Sequence, residues 1–437
     1  MRPVLVLIFH AAAPPDAGPL VRALAEARKA RADRQCAAFI AAGADAAEIV
    51  AGPPDGRSFG ERRAAELRER SGAAVGSGAG SRGGSAGSGA GSRGGSAGSD
   101  AGSRGGSAGS GAGSRGGSTG SGAAGRRSVA PPPSATPAPG GLIVLGSGSI
   151  PLATAADLRR FVDVAAGPGG HALANNRYSA DVVAISRAED LAGLPPLPAD
   201  NALPRWLEER AGVAVADLRS HWRLSVDIDT PQDLIVLRDP AAGLLDGTGP
   251  LFGERLAALG DVLSNRRAEL LVAGRTSAAT LTWLQAGVAC RVRALVEERG
   301  LKAASKLAMS DGATPGAPRP PRSVLGELLD RDGPESLARV ISRLADAAVI
   351  DSRVLMAHRF GPSESDWPEA EDRFASDLLL ASTIADPWLR ALTHSAAGSA
   401  QPNSSIENQS VPIILGGHTL VNGGLRLLAQ RARGGAR

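Results

Sequence analysis

Hydrophobic residues in this chain occur in short, unbroken runs that alternate with longer amphipathic segments. Val4 to Phe9 is apolar throughout, and residues 142–145 form a second run of this kind. Such runs of four to eight residues are typical of strands buried on both faces of a sheet. Between them, Pro19 to Gly43 has the spacing of a helix with a break near Asp33, and residues 59–70 have that of a shorter helix. The alternation predicts an α/β fold.

The same alternation continues along the chain with one pause, at Asp239 and Pro240. Before the pause, the pattern predicts strands at 47–51, 180–185 and 224–228 and helices at 154–164, 203–210 and 231–237. After the pause, it predicts strands at 269–273, 291–296, 347–350 and 411–415 and helices at 277–285, 324–329 and 335–344. Two such series predict two Rossmann-like three-layer domains.

A low-complexity segment interrupts the first series. From Gly76, an eleven-residue unit of Gly, Ser, Ala and Arg repeats four times, and this part of the chain holds 23 of the 57 glycines. The unit has no large apolar residue, so ordering it would cost backbone entropy without burying apolar surface. The sequence therefore predicts a first domain of residues 1–70 and 141–238, a disordered insertion at 71–140 and a second α/β domain at 239–437.

Charge and cysteine content exclude several classes of protein. The net charge is +4, and the insertion, with six arginines and one aspartate, contributes +5 of it, so the rest of the chain carries −1; the insertion has no aromatic residues for base stacking. Cys36 and Cys290 are the only cysteines, which excludes a disulfide framework and a cysteine-rich zinc site. No apolar run approaches the roughly 20 residues of a membrane span, and Val4 to Phe9 is short for a signal peptide. We expect a cytoplasmic protein that binds neither nucleic acid nor membrane.

Candidate ligand sites lie in the loops that follow strands. Neither a Gly-x-Gly-x-x-Gly dinucleotide motif nor a Gly-Lys-Ser/Thr phosphate loop follows a predicted strand. Ser147, Gly148 and Ser149 do follow the strand at 142–145, and small residues at the carboxyl end of a strand let backbone amides approach a ligand. An ordinary tight turn is the alternative interpretation.

Asp227 and Asp229 stand two residues apart on a predicted strand, so their side chains are expected on one face. Paired carboxylates suit the shared coordination of a divalent ion such as Mg²⁺. The alternative is structural, because Asp229 or Thr230 would also cap the helix that Pro231 begins. The sequence leaves both open.

Three strand exits in the second half also carry polar residues. Residues 273–277 end a predicted strand and begin a helix, Asp351 follows another strand, and Gly416-Gly417-His418 follows a third. If one sheet edge brings them together, they form a pocket. Each alone is more often a turn or a helix cap, and the second half resembles no family.

Two segments of the first half resemble one family of enzymes. Residues 149–158 (SIPLATAADL) and 225–234 (SVDIDTPQDL) are similar to motifs of the glycosyltransferase-A-like (GT-A) nucleotidyltransferases of cofactor biosynthesis. The likeness is to the molybdopterin-guanylyltransferase group and especially to the 2-phospho-lactate guanylyltransferase group. It implies a nucleotidyltransferase-like first domain that uses Mg²⁺ to transfer a nucleotidyl group, of the GMP type, from a nucleoside triphosphate to a phosphorylated small molecule.

The resemblance also implies which residues form the site. It places metal binding at Asp227 and Asp229, nucleotide or substrate binding at Ser147, Gly148 and Ser149, and acceptor binding at Asn175, Asn176 and Arg177, where a hydrogen-bonded loop is the alternative. Ser149 stands where the family has its first metal-binding Asp, and the loop after Phe9 lacks the family's glycines and basic residues. Two functions stay open: an active transferase with a rewired site, or a catalytically degenerate homologue that binds a nucleotide or phosphometabolite as a sensor or assembly module.

Overall fold

The computed structural model describes residues 2–52, 59–70, 140–197, 201–245, 249–298, 321–398 and 411–434. The predicted insertion at 71–140 lies outside these ranges except for Gly140. Within them, strands and helices alternate along the chain, and the strands form two sheets. The α/β class predicted from the sequence is confirmed.

The first sheet is mixed rather than uniformly parallel. Its strands are β1 Val4–Ala11, β2 Ala46–Gly52, β3 Gly141–Gly146, β4 His171–Ala174, β5 Val182–Ile185 and β6 Ala214–Asp217, in the order β2-β1-β3-β5-β4-β6. β5 is antiparallel to β3 and β4, whereas the other pairs are parallel. Only residues 175–181 link β4 to β5, too few for the crossover of a dozen or more residues that parallel neighbours need. The sheet therefore departs from a uniformly parallel Rossmann-like arrangement.

Both faces of the first sheet are covered by helices. The helices of this half are α1 Pro19–Ala41, α2 Phe59–Arg70, α3 Ala155–Ala166, α4 Leu203–Glu209 and α5 Pro231–Leu237. Odd-numbered residues of β1 pack in one core with Leu67 of α2 and Leu207 of α4, and even-numbered residues pack in another with Phe39 of α1 and Phe161 of α3. Successive side chains of a strand point to opposite faces, so β1 contributes to both cores and the half has three layers.

The second sheet is parallel throughout. Its strands are β7 Glu269–Gly274, β8 Arg291–Val296, β9 Ala347–Asp351 and β10 Ile413–Gly416, in the order β10-β9-β7-β8. Its helices are α6 Pro250–Ser264, α7 Ala278–Gly287, α8 Val324–Asp332, α9 Leu337–Ser342, α10 Ser352–Phe360, α11 Ala370–Asp377, α12 Pro387–Ala397 and α13 Leu425–Gly434. Every helix in the described ranges is too short or too polar to serve as a membrane span.

The two halves share a hydrophobic core. Leu20 of α1 and Leu234 of α5 belong to the same cluster of buried residues as the strands of the second sheet. Glu371 of α11 accepts hydrogen bonds from the backbone amides of Leu20 and Val21, at 3.0 and 3.1 Å, so its carboxylate caps the first turn of α1. The described parts of both halves group into one compact unit. The boundary at residue 238 stays a prediction from the sequence.

Several elements differ from those predicted, and helices α6 and α10 to α13 were not predicted. In place of a strand at 224–228, the chain has a 3₁₀ helix at Trp222–Ser225 and a single β-bridge at Asp227. α1 continues through Asp33 without a break, and the i,i+4 ion pair of Asp33 with Lys29, at 2.9 Å, supports its helical conformation. β4 (HALA) and β6 (AVAD) were not predicted, because they lack the run of branched apolar residues that β5 (VVAI) and β10 (IILG) have at the same length.

Candidate functional site

Polar side chains line the point in each sheet where the strand order reverses, which is where open α/β sheets bind ligands. In the first sheet this point lies between β1 and β3, and His10 Nδ1 and Ser147 Oγ are 3.2 Å apart there. In the second sheet it lies between β7 and β9, where Arg275 Nε donates to Asp351 Oδ2 at 2.6 Å. Both crevices therefore contain hydrogen-bonding groups.

The segment Asp227–Asp229 lies directly against the loop that follows β3. Ile228 N donates to Gly148 O at 2.9 Å, and Asp227 forms an antiparallel bridge with Ser149. A Cβ atom on Gly148 would lie 2.6 Å from Ile228 O, so only glycine allows this approach. The two motifs identified in the sequence are therefore adjacent in the structure.

His418, at the start of the helical turn that follows β10, faces both carboxylates. His418 Nε2 is 3.6 Å from Asp227 Oδ2, and His418 Nδ1 is 3.9 Å from Asp229 Oδ2. One ligand atom from each of the three residues lies within 4.8 Å of the others. The Asp227 side chain is 12% exposed and that of Asp229 is 48% exposed, so the group opens to solvent on the Asp229 side. We call these three residues the Asp-Asp-His cluster.

The other oxygen of each carboxylate is held by the protein. Thr419 Oγ1 donates to Asp227 Oδ1, and Arg28 Nη2 donates to Asp229 Oδ1 at 3.0 Å. Arg28 is itself fixed, because its Nε donates to the carbonyl of Ile228 at 2.6 Å. Each carboxylate thus has its Oδ1 in an internal hydrogen bond and turns its Oδ2 toward His418.

Negative charge is crowded around the cluster. Burial raises the pKa of Asp227 well above its ordinary value, and the charge of Asp229 raises it further. Burial opposes ionisation of Asp229 as well, but the charges of Arg28 and His418 outweigh it and lower its pKa. Burial, together with the charge of Asp229, raises the pKa of Asp233 to about 7. A bound cation would relieve this repulsion, because a positive charge favours the ionised form of every carboxylate near it.

Helix capping is carried out by other residues. Asp233 Oδ2 accepts hydrogen bonds from the backbone amide of Thr230 at 2.8 Å and from its hydroxyl at 3.0 Å, which identifies Thr230 as the N-cap of α5. The carboxylates of Asp227 and Asp229 are not needed for this cap. Of the two residues that the sequence offered as the cap of this helix, Asp229 and Thr230, it is Thr230 that caps it.

The polar strand exits of the second half also come together. Asn422 Nδ2 donates to the carbonyls of Arg275 and His418, at 3.0 and 2.8 Å, and Asn422 Oδ1 accepts from the Ser277 amide at 2.9 Å. Since Arg275 pairs with Asp351, the loops after β7, β9 and β10 form one continuous edge. The charge of Arg275 lies close enough to interact with that of Asp229.

Ser147 and Ser149 have different surroundings. Ser147 lies beside His10, and both residues are buried, with 5% and 7% exposed surface; ligand binding by Ser147 stays a prediction. The Ser149 hydroxyl donates to Asp181 O and accepts from the Gly146 amide, each at 3.2 Å. These bonds to the backbone occupy the hydroxyl that stands in place of the family's first metal-binding Asp.

Asn175 has a structural role in the described fold. Its Nδ2 donates to Asp181 Oδ2 and Leu224 O at 2.9 and 2.8 Å, and its Oδ1 accepts from the amides of Asp181 and Val182 at 3.0 and 3.3 Å. The residue is 3% exposed. These contacts favour the hydrogen-bonded loop, and substrate binding by Asn175 stays a prediction.

Asn176 and Arg177 also make contacts within the protein. Asn176 Oδ1 accepts from the Tyr178 amide at 3.0 Å, and Arg177 forms an ion pair with Glu208. Tyr178 is 52% exposed, and Arg219 lies 5.0 Å above its ring. Ligand binding by Asn176 and Arg177 stays a prediction.

His418, Thr419 and Arg28 were missed as site residues. The sequence showed no second histidine or cysteine at metal-ligand spacing from His418, and no spacing rule links it to residues of the first half. The signal that was present is the polar exit Gly416-Gly417-His418 after an apolar run, which predicted a pocket but no ligand. Comparisons of the chain with models of protein families, with curated proteins and with solved structures found no match.

Proposed function

We propose that the protein is a metal-dependent nucleotidyltransferase that transfers a nucleotidyl group, of the GMP type, from a nucleoside triphosphate to a phosphorylated small molecule. The observation that carries this proposal is the Asp-Asp-His cluster, in which two carboxylate oxygens and an imidazole converge at the carboxyl ends of strands from both sheets. The resemblance of residues 149–158 and 225–234 to cofactor-forming nucleotidyltransferases supports the choice of reaction.

The donor set fits a divalent cation. Carboxylate oxygens and an imidazole nitrogen are both common metal ligands, and the solvent-exposed side of Asp229 leaves room for water or a phosphate oxygen. When bound, a divalent ion would neutralise charge on a triphosphate and polarise its phosphorus–oxygen bonds. Mg²⁺ is the ion that the family resemblance implies.

Positive side chains flank the cluster from both halves. Arg28 of the first half contacts Asp229 at 3.0 Å, and Arg275 of the second half pairs with Asp351 and lies close enough for its charge to act on Asp229. Guanidinium groups present paired donors that match phosphate oxygens. In the proposed complex these two arginines orient the triphosphate, and His10 and Ser147 lie in the adjacent crevice of the first sheet.

His418 can supply the third metal ligand at a site where the family resemblance leads us to expect an Asp in place of Ser149. The Ser149 hydroxyl is occupied by the backbone, so it supplies no ligand in the described conformation. His418 brings a third donor to Asp227 and Asp229 from the other sheet. We therefore favour a rewired active site over lost activity.

The alternative, a degenerate homologue that senses a nucleotide or phosphometabolite, is favoured by one observation. The guanidinium group of Arg28 already pairs with Asp229, so the protein itself supplies a positive charge where a metal ion would bind. Such a protein would bind the nucleotide without an added metal ion and would catalyse no transfer.

The test uses the full chain with nucleoside triphosphates and phosphorylated acceptors. We expect metal-dependent binding of a triphosphate by calorimetry and release of pyrophosphate when the right acceptor is present. The double variant Asp227→Asn/Asp229→Asn should lose both, whereas Asp163→Asn/Asp261→Asn, which alters two exposed carboxylates elsewhere, should retain them. Binding that is unchanged by chelation and by the first double variant would contradict the transferase and support the sensor.

A further inference from the structure

The ligand atoms of the cluster discriminate between classes of divalent ion. Mg²⁺ binds through oxygen atoms and keeps several of its waters, whereas imidazole suits transition-metal ions. The cluster offers two carboxylate oxygens and one imidazole. We propose that the site binds a first-row transition-metal ion in preference to Mg²⁺ and that the second half of the chain creates this preference through His418. The inference rests on the proposed function only for the position of the ion.

The distances within the cluster leave space for such an ion. The separations of 3.6 Å from Nε2 to Asp227 Oδ2 and 3.9 Å from Nδ1 to Asp229 Oδ2 are too long for hydrogen bonds. They are also shorter than two metal–ligand bonds of about 2.1 Å placed end to end. An ion can therefore contact one ring nitrogen and both Oδ2 atoms after only small side-chain adjustments.

His418 is held in place by residues around it. Asn422 Nδ2 donates to the His418 carbonyl at 2.8 Å, and the neighbouring Thr419 donates to Asp227 Oδ1. Thr419 is 1% exposed and lies on the same backbone turn as His418. The first helical turn after β10 thus holds the imidazole next to the carboxylates, as expected for a ligand-binding residue with a supporting hydrogen-bond network.

This assignment gives the second half a role in the site. Its sheet supplies the imidazole, the threonine that holds Asp227 and the arginine that flanks Asp229. A first half with an all-oxygen site would favour Mg²⁺, as the family resemblance implies. The added nitrogen ligand shifts the preference toward Mn²⁺, Co²⁺, Fe²⁺ or Zn²⁺.

The test is a titration of the metal-free full chain with Mn²⁺, followed by the electron paramagnetic resonance signal of the free ion. We expect one bound Mn²⁺ per chain and displacement by Mg²⁺ only at a concentration on the order of a hundredfold higher. Pulsed measurements on the bound Mn²⁺ should show coupling to a ¹⁴N nucleus of an imidazole. His418→Gln should lower Mn²⁺ affinity by at least about tenfold, change Mg²⁺ affinity little and abolish the ¹⁴N coupling.

Two further variants keep the result interpretable. His418→Asp restores an all-oxygen site and should shift the preference toward Mg²⁺, whereas His394→Gln, at an exposed position of α12, should change nothing. Equal affinity for the two ions, binding of neither, or Mn²⁺ binding without ¹⁴N coupling would overturn the inference and leave His418 as an ion-pair partner of the carboxylates.

The outcomes separate this inference from the proposed function. Mn²⁺ binding through His418 in a protein that neither binds nor turns over triphosphates would retain the inference and reject the transferase. Triphosphate turnover in a wild-type protein that binds Mn²⁺ and Mg²⁺ equally well, with Mn²⁺ affinity unchanged by His418→Gln, would reject the inference and retain the transferase.

Discussion

Replacing Asp233 by asparagine tests the crowding of carboxylates without removing a proposed metal ligand. Asp233 is 1% exposed, and its Oδ2 accepts hydrogen bonds from the amides of Asp229 and Thr230 at 3.0 and 2.8 Å. Asparagine retains an acceptor oxygen for the N-cap of α5 but cannot ionise. The substitution therefore isolates the contribution of charge.

The magnitude follows from the pKa of Asp233, which is raised from 3.8 to about 7 on folding. Between these values the folded chain retains a proton that the unfolded chain has lost, so the free energy of unfolding decreases as the pH rises. A difference of about 3 pKa units corresponds to a loss of about 4 kcal/mol, complete above the folded pKa. The pKa of Asp227 is also raised, so its titration adds a loss in the same direction.

The assay is thermal unfolding of the full chain in chelator, from pH 4.5 to 7.5. Wild type should lose stability as the pH rises, and Asp233→Asn should show a shallower dependence and a higher midpoint at pH 7.5. Asp163→Asn, at an exposed site on α3, should follow wild type. A wild-type stability that is flat or rises over this range, or a variant with the wild-type slope, would refute the reasoning.

Other substitutions test the neighbouring contacts. Glu371→Gln removes the charge that caps α1 from the second half and should cost about 1 kcal/mol, measured as a lower unfolding midpoint. Gly148→Ala places a Cβ atom 2.6 Å from Ile228 O and should weaken Mn²⁺ binding, whereas Gly193→Ala, with open space around it, should not. Arg28→Gln frees Asp229 Oδ1, so it should strengthen binding of the metal ion alone and weaken binding of a nucleoside triphosphate; parallel changes in both affinities would contradict its assigned position.

The sequence predicted eight of the ten strands in the described ranges, including the largely exposed β8. β1 and β3 are apolar at nearly every position because both of their faces contact cores, and all four strands of the second sheet were found within two residues of their predicted bounds. The antiparallel direction of β5 was not predicted, because strand direction depends on connection length and on the two neighbours rather than on the strand's own residues. The sequence offered a hydrogen-bonded loop at Asn175 as one alternative but not its partners, because one of them, the carbonyl of Leu224, is 49 residues away.

Half of the candidate site was predicted, and the other half lies far away in sequence. Asp227 and Asp229 were identified from a local motif, and their approach to Ser149 follows from the position of ligand sites at the carboxyl ends of strands. Thr419 is 192 residues from its partner Asp227, and no periodicity or spacing within the chain relates them. Contacts of this kind form only when two sheets pack together.

Residues 225–234, which carry the family likeness, contact the second half of the chain as well as the first. Gln232 Nε2 donates to the carbonyls of Asp377 and Leu415 at 2.8 and 2.6 Å, and Leu234 lies in the core of the second sheet. The carboxylates that precede α5 are therefore positioned by contacts from both directions. A resemblance confined to the first half can identify the carboxylates, but not the third ligand or the residues that hold them. For this reason the first half alone is not expected to reproduce the site, and every metal-binding experiment requires the full chain.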